Sequence, residues 1–205
     1  MKLCVSSAIA ATLVGMFSTA NADILLQDFT MGPSGWEVKT DDVIPGGSSQ
    51  GGLFPAGDRT YFDGIVTYQP FIGGPGFVKI VSTKSFPDIS SCAAIEVTLN
   101  SVIGYDGYYI AFGDTPPTDN MPIPFEWRAH VHVDAPGDNK YVIPFSEFSN
   151  YWDFATGKVI IPCSDDPSVC APPSVLSNIQ FLEIWAQGVE GQFVTDLFTV
   201  KALGC

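Results

Sequence analysis

The sequence predicts an all-β protein, a two-sheet jelly-roll sandwich, from three observations. Helical periodicity is nearly absent along the 205 residues. Gly (20) and Pro (16) recur throughout and cut the chain into short segments. Those segments are rich in Val, Ile, Phe, Tyr and Thr, the residues that fit a pleated, half-buried surface. No repeat or linker divides the chain, so about ten strands belong to one domain.

Strands are expected at Ile24–Phe29, Gly52–Phe54, Tyr61–Thr67, Phe77–Ser82 and Ala94–Leu99. Five more follow at Tyr108–Phe112, Phe125–Val133, Lys140–Ile143, Gln180–Ala186 and Gln192–Ala202. From Ile143 to Leu176 the sequence reads mostly as loop, with room for a helical turn around Ser146–Tyr151. Phe181–Trp185 is apolar on both faces apart from Glu183, which predicts a central strand. The Gly46–Gly52 run lacks the Lys-Ser/Thr of a phosphate cradle and reads as a turning loop.

Residues 1–22 read as a secretory signal peptide. Lys2 precedes an apolar stretch from Leu3 to Phe17, and Ala20-Asn21-Ala22 offers the small residues of a cleavage site. The stretch is shorter than the ~20 residues of a spanning helix. The first Arg is Arg59, which does not suit a mitochondrial import sequence. The expectation is therefore export, to the extracellular space or a secretory-pathway lumen, with 23–205 as the single domain. Loss of Lys2 takes the formal charge from −13 to −14. Such a field repels nucleic acid and anionic lipid, and neither they nor membrane insertion is expected.

Removing the leader takes Cys4 away and leaves Cys92, Cys163, Cys170 and Cys205. Four cysteines in an exported domain imply two disulfides. The turn-forming Ser164-Asp165-Asp166-Pro167-Ser168 favours local closure of Cys163 with Cys170, and Cys92–Cys205 follows by exclusion.

Phe125–Val133 alternates strictly. Phe125, Trp127, Ala129, Val131 and Val133 share one face, and Glu126, Arg128, His130 and His132 the other. The polar face is expected to meet solvent or a ligand. Arg128, His130 and His132 are candidate binding residues, joined by Trp152, a loop aromatic able to stack on a sugar or to close one end of the sandwich. No catalytic constellation is complete. There is no Gly-x-Ser-x-Gly elbow, and strand carboxylates such as Glu96, Glu126, Glu183 and Asp196 are solitary. No metal and no cofactor is expected: the chain has two His in all, with no third ligand at short spacing.

Asp42-Val43-Ile44-Pro45-Gly46-Gly47-Ser48-Ser49, Phe62-Asp63-Gly64-Ile65, Pro75-Gly76-Phe77 and Ile143-Pro144-Phe145-Ser146-Glu147-Phe148 follow one another in the chain, and Gly188–Ala202 closes it. In this order the segments resemble the NADH:ubiquinone oxidoreductase (complex I) intermediate-associated protein domain. Two departures are Pro45 in place of the family's Met and an export signal in place of an import sequence. The resemblance implies a galactose-binding-like sandwich and a non-catalytic domain. The functional expectation is a secreted module binding a glycan or a secreted protein. Alternatives are an assembly or chaperone-like factor in a secretory or plastid lumen, and a lyase of acidic polysaccharides using Arg128, His130 and a Tyr.

Overall fold

The computed structural model describes residues 22–118, 126–133 and 137–205. The signal-peptide reading and Phe125 lie outside the described residues, apart from Ala22. Thirteen strands form among the described residues: β1 (Ile24–Asp28), β2 (Glu37–Thr40), β3 (Gln50–Pro55), β4 (Thr60–Val66), β5 (Tyr68–Gln69), β6 (Gly74–Pro75) and β7 (Phe77–Ser82). They continue as β8 (Ala94–Ser101), β9 (Tyr108–Gly113), β10 (Trp127–His130), β11 (Asp138–Pro144), β12 (Phe181–Gln187) and β13 (Gly191–Leu203).

Two antiparallel sheets make a jelly-roll sandwich. The first runs β11-β8-β13-β4-β3, with β1 also paired to β13; the second runs β10-β9-β12-β7-β2. The long β13 serves two partners along one edge: its first half pairs with β4 and its second half with β1. A bulge between Leu197 and Thr199, against β8, marks the change of partner. Period-2 alternation supplies the core from both inner faces. Phe62, Ile95, Val97, Leu99, Phe193, Leu197 and Val200 come from the first sheet, and Val78, Ile80, Tyr108, Ile110, Phe112, Leu182 and Ile184 from the second. The Pro144–Phe148 segment closes one side of this core, where Phe148 lies 5.0 Å from Phe112, ring to ring.

Every expected strand finds a counterpart, and β12 lies centrally between β9 and β7 as its apolar run demands. Three strands go beyond the expectation. The edge strand β2 carries Glu37 and Lys39 on one face, charges that discourage further strand pairing and hide a strand pattern. The other two, β5 and β6, have two residues each. The helical turn near Ser146 is a 3-10 turn, Phe145–Glu147.

Both disulfides join the expected partners, Cys92–Cys205 and Cys163–Cys170, with sequence separations of 113 and 7. The long one ties the start of β8 to the end of β13, the central pair of the first sheet. Loop-closure entropy makes it worth about 4.8 kcal/mol, against about 2.5 kcal/mol for the short one. Denaturant unfolding of the two double Cys→Ala variants should therefore show the larger loss for Cys92/Cys205.

Candidate functional site

The strand registers line up the outer face of the second sheet in rows. Arg128, Ala111, Glu183, Val81 and Glu37 form one row across β10-β9-β12-β7-β2; His130, Tyr109, Trp185, Lys79 and Lys39 form the next. The sequence predicts that the polar face of β10 is turned to solvent or ligand. The structure seals half of it: Glu126 is 1% and Arg128 0% exposed.

Arg128 is buried because the chain folds back over it. Ser149 continues the free edge of β10 through two backbone hydrogen bonds with Arg128. A hairpin from Trp152 to Val159 then lies across the face. The Arg128 guanidinium stands 4.0 Å from the Trp152 ring and 4.0 Å from the Trp185 ring, a double cation–π contact. Its Nε donates to Glu126 Oε1 at 3.0 Å and its Nη1 to Gln187 Oε1 at 2.6 Å. Gln187 Nε2 donates in turn to the Phe154 carbonyl at 2.9 Å, and the Tyr109 hydroxyl to that of Thr156 at 3.2 Å. Gly157, at φ +74°, packs so closely that a Cβ would meet Arg128, Gln187 and Tyr109. Trp152 thus covers the sheet face and does not close an end of the sandwich.

The same network continues inward. Lys79 Nζ and Trp185 Nε1 each donate to Glu183 at 2.7 Å, and Lys79 also lies 4.2 Å from the Trp185 ring. Burial pushes the Glu126 carboxyl up to about 8 against the attraction of Arg128, and the neighbouring Glu183 raises it further. Glu126 Oε2 meets no hydrogen-bond partner. Arg128 is therefore part of the scaffold and has no surface to offer a substrate carboxylate.

His130 and His132 remain accessible at the rim. They line a cleft of about 410 Å³ with Asp106, Tyr109, Lys158 and Val189. Their Nδ1 atoms are 2.9 Å apart, and His130 Nε2 sits 3.2 Å from the Asp106 carbonyl oxygen. Burial holds the His130 imidazole below its ordinary range, against the hydrogen bond to the Asp106 carbonyl, which raises it.

A different surface offers an open aromatic platform. Phe54 of β3 pairs with Tyr61 of β4, Tyr61 with Asp196 of β13, and Asp196 with Asn100 of β8, all on the outer face of the first sheet. Phe54 is 55% exposed, and its ring packs against Gly52, where a Cβ would overlap it. Around it stand Asp63, Arg59, Asp196 and Asn100, lining a hollow of about 620 Å³ with Tyr61 and Val194. Asn100 Nδ2 donates to Asp196 Oδ2 at 2.9 Å, while the buried Asp196 Oδ1 faces Arg59 Nε at 3.7 Å. A second hollow of about 500 Å³, lined by Gln50, Ile65 and Gln192, shares Phe54, Asp63 and Val194 with the first. Together they make a continuous groove. Sequence reading placed Gly52–Phe54 on a strand but not in a site; the available signal was Gly and Phe two residues apart, hence on one face.

No family model matches the chain, and no curated protein matches it. Solved structures do. The family 11 carbohydrate-binding module of Clostridium thermocellum, in complex with a β-1,3-1,4-mixed-linked tetrasaccharide, is similar at 18% identity over 89% of this chain and 96% of that one, with a TM-score of 0.56. The fold is that of these modules. The family 11 module of the cellulosomal cellulase Lic26A-Cel5E from the same organism superposes over 91% of this chain and 97% of its own, also at 18% identity and a TM-score of 0.56. One region of an agarase, 26% of that chain, matches 88% of this one at 12% identity and a TM-score of 0.52.

Two outcomes follow for the buried network. Arg128→Ala strands Glu126 and Gln187 without their partner and should cost about 3–5 kcal/mol by denaturant unfolding. Because the folded-state pKa of Glu126 is raised, the protein takes up a proton on folding, so this group's contribution falls as pH rises from about 4.5 towards 8. Glu126→Gln should flatten that slope in unfolding titrations run across the same interval.

Proposed function

We propose that the chain is a secreted, non-catalytic carbohydrate-binding module that holds a neutral polysaccharide in the groove on the outer face of its first sheet. The observation that carries this is the Phe54 ring, 55% exposed and packed over Gly52 on the outer face of the first sheet. Aromatic faces receive the apolar C–H face of a pyranose, while planar polar side chains at the rim orient its hydroxyls. Tyr61, Asp63, Arg59 and Asn100 supply such a rim. The hollows on either side of Phe54 suit an extended chain of sugars. A net charge of −13 opposes anionic glycans and favours neutral ones. The similar family 11 module in complex with a mixed-linked β-glucan fragment supports a β-glucan as the first ligand to try.

Export is supported by the leader-like first 22 residues and by two disulfides, which form and persist in oxidising compartments. No helix among the described residues is long and apolar enough to cross a membrane. A non-catalytic role is supported by the burial of Arg128, which removes the candidate carboxylate neutraliser of a lyase.

Isothermal titration against mixed-linkage β-glucan, laminarin, alginate and pectin tests the reading. Binding to a neutral glucan is expected, with no unsaturated or newly reducing ends released. Phe54→Ala should weaken it at least about tenfold, the equivalent of ~1.4 kcal/mol. Gly52→Val, which lifts the ring off the strand, should do the same with the ring still present. Undiminished binding in Phe54→Ala, or binding to no neutral glycan, would place the function elsewhere.

A further inference from the structure

We propose that His130 and His132, with Asp106 behind them, form a site for a late first-row divalent metal ion that binds Cu²⁺ more tightly than Zn²⁺. The sequence expectation of no metal rested on the lack of a third ligand near His132. The fold sets the Asp106 carboxylate beside His130 as an orienting partner, from the turn before β9, 24 residues upstream.

The geometry of the two rings is specific. A carbonyl oxygen only accepts, so the Asp106 carbonyl, 3.2 Å from His130 Nε2, keeps the proton of that ring on Nε2. The His130 Nδ1 lone pair is then bare and faces His132 Nδ1 at 2.9 Å. Two imidazole nitrogens that each bond one ion at about 2.0–2.1 Å stand about 3 Å apart at a right angle. The spacing is thus that of a two-histidine chelate, reached when the His132 proton moves to its Nε2. The His132 ring is exposed and free to make that change.

The Asp106 carboxylate lies 3.4 Å from His130 Nε2 and is 76% exposed. It supplies the negative charge and the ring-orienting contact that histidine ligands draw from a neighbouring carboxylate. One ligand atom from each of the three residues falls within 4.8 Å of the others. The open cleft of about 410 Å³ leaves room for water in the remaining positions. Two imidazoles with oxygen donors suit Cu²⁺, Ni²⁺ and Zn²⁺ better than Ca²⁺ or Mg²⁺, and copper stands highest of these. Lys158 lines the same cleft as the opposing charge.

Chelator-stripped protein would be titrated with Cu²⁺ and with Zn²⁺ by calorimetry, and the copper form examined by electron paramagnetic resonance. One equivalent of Cu²⁺ is expected, bound more tightly than Zn²⁺, with nitrogen splitting from two imidazoles. His132→Ala and His130→Ala should each weaken binding at least tenfold, and Asp106→Asn by about tenfold. His132 and Asp106 are exposed, so these two variants should keep the wild-type melting curve. Binding to neutral glucan should not change in His132→Ala, because the groove lies on the other sheet. Affinity for both ions weaker than about 0.1 mM, or copper binding that survives His132→Ala, would overturn the assignment.

Discussion

The second sheet is organised around one buried cation. Arg128 lies between Trp152 and Trp185 and is tied to Glu126 and Gln187, so three parts of the chain, the start of β10, β12 and the hairpin, meet on a single guanidinium. A charge taken out of water is tolerated only with full pairing, and each partner here is held in turn by another: Gln187 by the Phe154 carbonyl, Trp185 by Glu183, Glu183 by Lys79. Ala111, between Arg128 and Glu183 in the row, leaves the space over which the long side chain reaches. Much of what is unusual about this sandwich, from the covered outer face to the accessible His pair at its edge, follows from that arrangement.

The covering divides labour between the sheets. In the second sheet, polar side chains are spent on internal pairing. In the first, Phe54, Tyr61, Asp63 and Asp196 stand on an outer face crossed by no hairpin of the described chain.

Much of the fold was legible in the sequence because it rests on local rules. Short Val-, Ile-, Phe- and Tyr-rich segments located β7 and β9 to within a residue, the unbroken apolar run placed β12 at the centre, and the turn between Cys163 and Cys170 selected the disulfide pairing. What escaped depends on contacts between distant residues. Alternation showed that Arg128 leaves the core side of β10, yet not that Trp152 returns to cover it. Nor does any spacing reveal that Asp106 stands beside His130. The four residues singled out from sequence, Arg128, His130, His132 and Trp152, do come together on one sheet face, but as a buried stack with an accessible rim.

The hairpin over Arg128 has the outward form of a lid, and its chemistry says otherwise. Lifting it would strip an indole from a guanidinium and leave the Gln187 amide without its carbonyl. Both are penalties. The Trp152–Val159 segment therefore behaves as a resident occupant: the chain fills the Arg128 end of its own sheet with a stacked aromatic, in the manner a bound guest would, and that end of the face is closed to competitors for as long as the domain is folded.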